Sequence, residues 1–279
     1  MAAGLGAALL AAAVFGVAAV LQATAVRRLP AIEGGRLGPL LTLLRQPLFV
    51  TAVALNLLGF VLHFVSLRLI PLYLSQAVIS SSLAFTAVLA VVWLGERLRA
   101  TDWLAVAAVT AGLAALALAS GDIGEKDGPA WLVPAILGFV ALAAVTGLVL
   151  SRWHRGVAAF GLGALAGIGF AGSGLAARLL PGYSVGDLWD SLATYVLPVS
   201  GGTAFVLYSL GLQRASVTVS TAPMIVMQTV VPAVVGIALL GDGVREGRWP
   251  LGLAGMAVAV AGAVALARFE RGPNTAERA

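Results

Sequence analysis

Nine stretches of 18 to 26 residues in this chain contain no Asp, Glu, Lys or Arg. They run Gly4–Val26, Leu48–Leu67, Pro71–Gly95, Trp103–Ser120, Ala130–Leu150, Gly156–Ala177, Leu192–Leu212, Ser216–Gly241 and Trp249–Ala267. A hydrocarbon core about 30 Å thick is crossed by roughly 20 apolar helical residues, so each run has the length of a membrane span. The runs are uniformly apolar rather than alternating, which favours helices over barrel strands. All 12 acidic residues fall outside them. Charged residues make up 10% of the chain, against about 25% in soluble domains, and an ordinary soluble enzyme is excluded. With no cysteine there is no disulfide framework, thiolate nucleophile or soft-metal cluster. The net charge of +5 is scattered between apolar runs and forms no continuous patch for phosphates, so nucleic acid is not a partner.

Of the 17 basic residues, 12 lie on one set of alternate connections and 5 on the other. Placing the larger set in the cytoplasm puts the N-terminus outside and the C-terminus inside. The excess of Ala, Gly and Arg over Lys points to a GC-rich bacterial genome, and hence to the bacterial plasma (inner) membrane. The extended connections, the longest being 27–47, are too short to fold as separate domains.

A shift of 146 positions lays Leu94-Gly95-Glu96-Arg97-Leu98-Arg99 over Leu240-Gly241-Asp242-Gly243-Val244-Arg245, and Trp103 over Trp249. A shift of 143 lays Gly59, Ser66 and Leu67 over Gly202, Ser209 and Leu210. Each match ends one long apolar run and precedes another, as an internal repeat would. By the charge count the two Gly-acid turns lie on opposite faces, so the halves have opposite topology. The expected organisation is an all-α polytopic membrane protein of about nine transmembrane helices built from two inverted repeats. Residues 1–120 form the first repeat (helices 1–4), 121–155 the connecting helix 5 and its loop, 156–267 the second repeat (helices 6–9), and 268–279 a cytoplasmic tail.

Pro71, the small-residue helix from Gln76 to Leu94, the turn Gly95-Glu96-Arg97-Leu98 and the helix beginning at Trp103 resemble the drug/metabolite transporter superfamily. A weaker second copy is carried by Pro223, Pro232, Gly241-Asp242 and the helix from Trp249. The resemblance implies a transporter rather than an enzyme. The EamA-type pattern has ten helices with both ends in the cytoplasm. Nine helices with the N-terminus outside is closer to the NIPA-like magnesium branch, whose first helix is similar to Phe15-Gly16-Val17-Ala18 through Gln22. That branch carries an acid in its second helix, whereas Asn56 to Phe60 contains none.

Polar side chains inside the runs are few, and an unpaired one in hydrocarbon costs several kcal/mol. Those on the helices that carry the repeat should therefore point inward. Asn56, His63, Gln76, Ser80, Tyr208 and Gln228 form the expected substrate-binding set, with His63 the one histidine inside a run. Ser80 to Ser82 cannot all face lipid, since successive residues turn about 100° around a helix. Pro223 and Pro232 each remove a backbone donor and mark an expected hinge or helix break, with Gln228 between them. Gly163 and Gly167 read as a packing motif. Glu96 and Asp242, on opposite faces, cannot act as a joint acid/base pair; local pairing with Arg97, Arg99 or Arg245 is the expected role. No nucleophile, base and orienting acid can be assembled, and neither a cofactor nor a metal site is implied. The expected function is secondary transport of a small metabolite or drug-like solute by alternating access. The partners are that small molecule and the lipid bilayer. The alternative is transport of magnesium or another divalent cation, for which an interior without carboxylates is a poor match.

Overall fold

The computed structural model describes residues 2–28, 45–70, 75, 78–122, 124, 128–150, 155–180 and 189–269. Nine helices are found among them: α1 Ala2–Arg27, α2 Pro47–Leu69, α3 Ser82–Leu94, α4 Ala100–Ala119, α5 Leu132–Leu150, α6 Arg155–Arg178, α7 Leu192–Leu212, α8 Val217–Val235 and α9 Trp249–Phe269. A π-helical turn, Gly236–Leu240, extends α8. Seven helices are long and apolar enough to cross a membrane; the shorter apolar stretches are Pro47–His63 of α2 and Ser82–Leu94. The molecule is a multi-pass helical membrane protein.

The third run departs from expectation. It does not form one uninterrupted helix ending at Gly95, because Ser80 and Ser81 make a turn and the regular helix begins at Ser82. The Ser81 hydroxyl donates to the Val78 carbonyl (2.6 Å) while the Ser81 N–H donates to the same oxygen (3.0 Å). A serine hydroxyl that captures a backbone acceptor competes with the helical ladder, and α3 is left with 13 residues, about 20 Å at 1.5 Å per residue.

Glycine sets the closest helix approaches. Gly59 of α2 lies against the Phe15 ring of α1, and Gly16 of α1 against the backbone of Phe85 and Thr86 in α3. In the second half Gly169 of α6 lies against Ala204 of α7, and Gly163 and Gly167 of α6 lie against Ser220 and Met224 of α8. The first helix of each set thus runs antiparallel to the second and parallel to the third: α1 with α2 and α3, α6 with α7 and α8. α4 and α9 pack on each other where Gly112 and Gly255 abut each other's backbone. Van der Waals packing of small residues supplies the helix association that lipid does not drive.

α8 runs unbroken through Pro223 and Pro232. The helix break expected at these prolines is therefore not present; the departure from α geometry comes later, at Gly236–Leu240. Pro223 is buried beside Gly163 of α6, whereas Pro232 is half-buried.

Candidate functional site

The two Gly-acid turns are built identically. Gly95 (φ 66°) ends α3 and Gly241 (φ 78°) ends α8 in the left-handed region, which glycine enters without a Cβ penalty. The following acid N–H closes back six residues, Glu96 to the Ala90 carbonyl at 3.1 Å and Asp242 to the Gly236 carbonyl at 2.9 Å. The glycine N–H points to the same carbonyl in each turn, a closure one residue wider than the Schellman motif that likewise satisfies an orphan carbonyl at the helix end. The turn carries each acid off the helix axis, toward neighbouring helix ends.

The Glu96 carboxylate accepts from Arg27 Nη2 at 2.9 Å and from the Val217 N–H at 3.0 and 3.2 Å. Val217 is the first residue of α8, so Glu96 caps that helix from another part of the chain. Ser216 caps it locally, its hydroxyl accepting from the Val219 N–H at 3.3 Å. Arg27, the last residue of α1, also donates to the carbonyls of Leu212 (3.0 Å) and Ala215 (2.7 Å) at the end of α7. The ion pair therefore sets its cation on the negative end of α7 and its anion on the positive end of α8.

At the other end of α8, Asp242 accepts from Arg178 through both guanidinium Nη atoms, each at 2.6 Å, and from the Gly124 N–H at 2.7 Å. Arg178, the last residue of α6, also donates to the Gly124 carbonyl at 3.0 Å. The pair clamps both backbone groups of Gly124, in the connection between α4 and α5. Burial pushes the Asp242 carboxyl up, but the Arg178 hydrogen bonds, the Gly124 N–H and the Arg178 charge together hold it below the usual carboxylate range. The acids thus pair with Arg27 and Arg178, not with the neighbouring basics expected from the sequence. After the left-handed glycine the acid folds toward the bundle, whereas Arg97 and Arg99 stay exposed. Because Glu96 touches the start of α8 and Asp242 follows its end, the acids sit at opposite ends of a 24-residue helical segment, Val217–Leu240, about 36 Å long. α3 and α8 are therefore antiparallel.

The six expected binding residues fall in different surroundings. Asn56 and His63 lie on the face of α2 that carries Ala52, Gly59 and Ser66, opposite exposed Leu57, Phe60 and Val61. The Asn56 amide donates to the Ala52 carbonyl (2.9 Å), and the buried His63 Nε2 has no hydrogen-bond partner. Ser80 is buried at the turn before α3, its hydroxyl 3.4 Å from the Thr110 carbonyl of α4. Tyr208 is buried, its hydroxyl 2.6 Å from that of Thr221 in α8. Gln228 is half-buried at mid-α8; Gln76 lies outside the described residues.

Two further links were not anticipated. Gln22 donates to the Ser209 hydroxyl (2.9 Å), and Gln213 donates to the Val26 carbonyl (2.6 Å). Both tie α1 to α7. Among the described residues no group of three or more His, Cys, Asp or Glu side chains could hold a metal ion.

The described residues thus form a multi-pass helical bundle with matching Gly-acid turns at opposite ends of one span. Residues 34–118 match the model of the EamA-like transporter family, part of the drug/metabolite transporter superfamily. Over that stretch, which includes α2, α3 and the Glu96 turn, the chain is similar to that transporter family. No curated protein and no solved structure matches the chain.

Proposed function

We propose that the chain is a secondary carrier of a small metabolite or drug-like solute, working by alternating access. The halves 1–120 and 156–267 rock about a shared site in the bacterial plasma membrane, with the N-terminus outside and the C-terminus cytoplasmic. The observation that carries the reading is the antiparallel course of α3 and α8, each closed by the same Gly-acid turn. Inverted-topology repeats of this kind let one fold open to either side. The cargo site is the region of Asn56, His63, Gln76, Ser80, Tyr208 and Gln228, and Pro223 and Pro232 are where α8 flexes. These groups are hydroxyls, amides and an imidazole, so the cargo class is neutral, zwitterionic, anionic or amphiphilic rather than a bare metal cation.

Thermal-shift screening of the purified protein with metabolites, drugs and divalent ions identifies the cargo, since a ligand that binds only the folded state raises the melting temperature. With that cargo in proteoliposomes, His63→Ala and Gln228→Ala weaken transport while melting stays nearly unchanged. Unimpaired transport in both variants would refute the site, and strong magnesium flux through the wild type would refute the cargo class.

A further inference from the structure

The burial of α8 is lopsided. Of its first ten residues, Val217 to Val226, nine are buried; of the fourteen from 227 to 240, only Gly236 and Leu240 are. The Gln22–Ser209 and Tyr208–Thr221 contacts lie on the well-buried side, toward Glu96. The part of α8 toward Glu96 is thus the more deeply packed, and the part toward Asp242 the more exposed.

We infer that Arg27–Glu96 and Arg178–Asp242 are paired latches, one on each membrane face. In this inference, which rests on the carrier reading above, the Glu96 face opens only when Glu96 releases the first turn of α8. The latches occupy matching places. Each acid follows the left-handed glycine of the third helix of a set, and each arginine ends the first helix of that set. Each also reaches beyond its own set: Glu96 and Arg27 hold the α7–α8 turn, and Asp242 and Arg178 hold Gly124. The chemistry suits release. Side-chain exposures of 30% and 11% for Arg27 and Glu96, and of 29% and 21% for Arg178 and Asp242, leave water close enough to replace each bond as it breaks. Such pairs are modest in net strength, so a carrier can undo one without an external energy source. Gly236 shows how tightly the second latch is fitted, because a Cβ there would run into the Asp242 carboxylate.

The chain has no cysteine, so Gln228→Cys and Ser80→Cys each serve as a single reporter in the full-length protein. The protein is reconstituted in phosphatidylethanolamine/phosphatidylglycerol vesicles and exposed to a membrane-impermeant maleimide from one face at a time. With both latches intact, labelling is faster from the Asp242 face. Glu96→Gln, and independently Arg27→Gln, raises labelling from the Glu96 face on the order of tenfold and lowers it from the other, as a population shift requires. Gly236→Ala, which displaces the Asp242 carboxylate without removing a charge, moves both rates the opposite way. Latch variants that leave the ratio of rates unchanged, including by raising both equally as a loosened fold would, overturn the latches while the carrier reading stands. Reporters that react from neither face in any variant, while exposed Arg97→Cys reacts, overturn the carrier reading itself.

Discussion

The two ends of α8 answer the same problem with different materials. At its start, the anion that satisfies the helix N-terminus comes from the end of α3, and its countercharge comes from the end of α1. At its end, acid and arginine belong to α8 and α6, and they hold one glycine of a connection by its N–H and C=O. One end is a helix-to-helix joint with both helix ends charge-matched; the other is a clamp on a loop. Charge at a helix terminus adds to the hydrogen bonds it makes. The Glu96 end should therefore be the stronger joint although both use one ion pair.

This ranking can be broken by measurement. Glu96→Ala removes the charge partner of Arg27 and the acceptor of the Val217 N–H together and is expected to cost about 2 kcal/mol, read from unfolding of the purified protein. Arg27→Ala should cost a similar amount, and the double variant little more than either alone. Additive losses would show that the two residues do not act as one unit.

The turns beneath the acids should be equal. Gly95→Ala and Gly241→Ala force a Cβ into the left-handed region, and each is expected to cost about 1 kcal/mol. Unequal losses would mean that only one turn carries the helix end. Asp242→Ala is expected to cost less than about 1 kcal/mol, because Arg178 and Gly124 can turn to water. A loss above that of Glu96→Ala would reverse the ranking.

The smallest effect is in pH. The folded Asp242 carboxyl titrates below its unfolded counterpart, so its stabilisation is complete above the unfolded value and is lost as pH falls through the folded one. The melting advantage of wild type over Asp242→Asn should stay constant near neutrality and shrink below about pH 4. An advantage unchanged in acid would assign it to packing instead of charge.

Much of this architecture was legible because lipid imposes simple rules. Apolar length placed the helices, and the Gly-acid match marked the places where α3 and α8 end, since a left-handed closure has few sequence solutions. The break at Ser80–Ser81 was hidden inside an unbroken apolar run, because hydropathy does not register a hydroxyl that captures the Val78 carbonyl. The prolines introduce no break: α8 stays helical through Pro223 and Pro232. Arg27 and Arg178 were visible only as charges to be counted for orientation. Their partners lie 69 and 64 residues away, a pairing that spacing does not encode. The hint was that both end a long apolar helix.

Opposite placement of the two turns is the claim on which the carrier reading, the latches and the ranking all depend. It is tested most directly by Arg97→Cys and Glu246→Cys, two exposed positions beside the turns in a chain with no other cysteine. A membrane-impermeant maleimide applied to intact cells should label Glu246→Cys and leave Arg97→Cys untouched until the membrane is permeabilised. Labelling of both from outside, or of neither, would place the turns on one face and contradict the inverted arrangement.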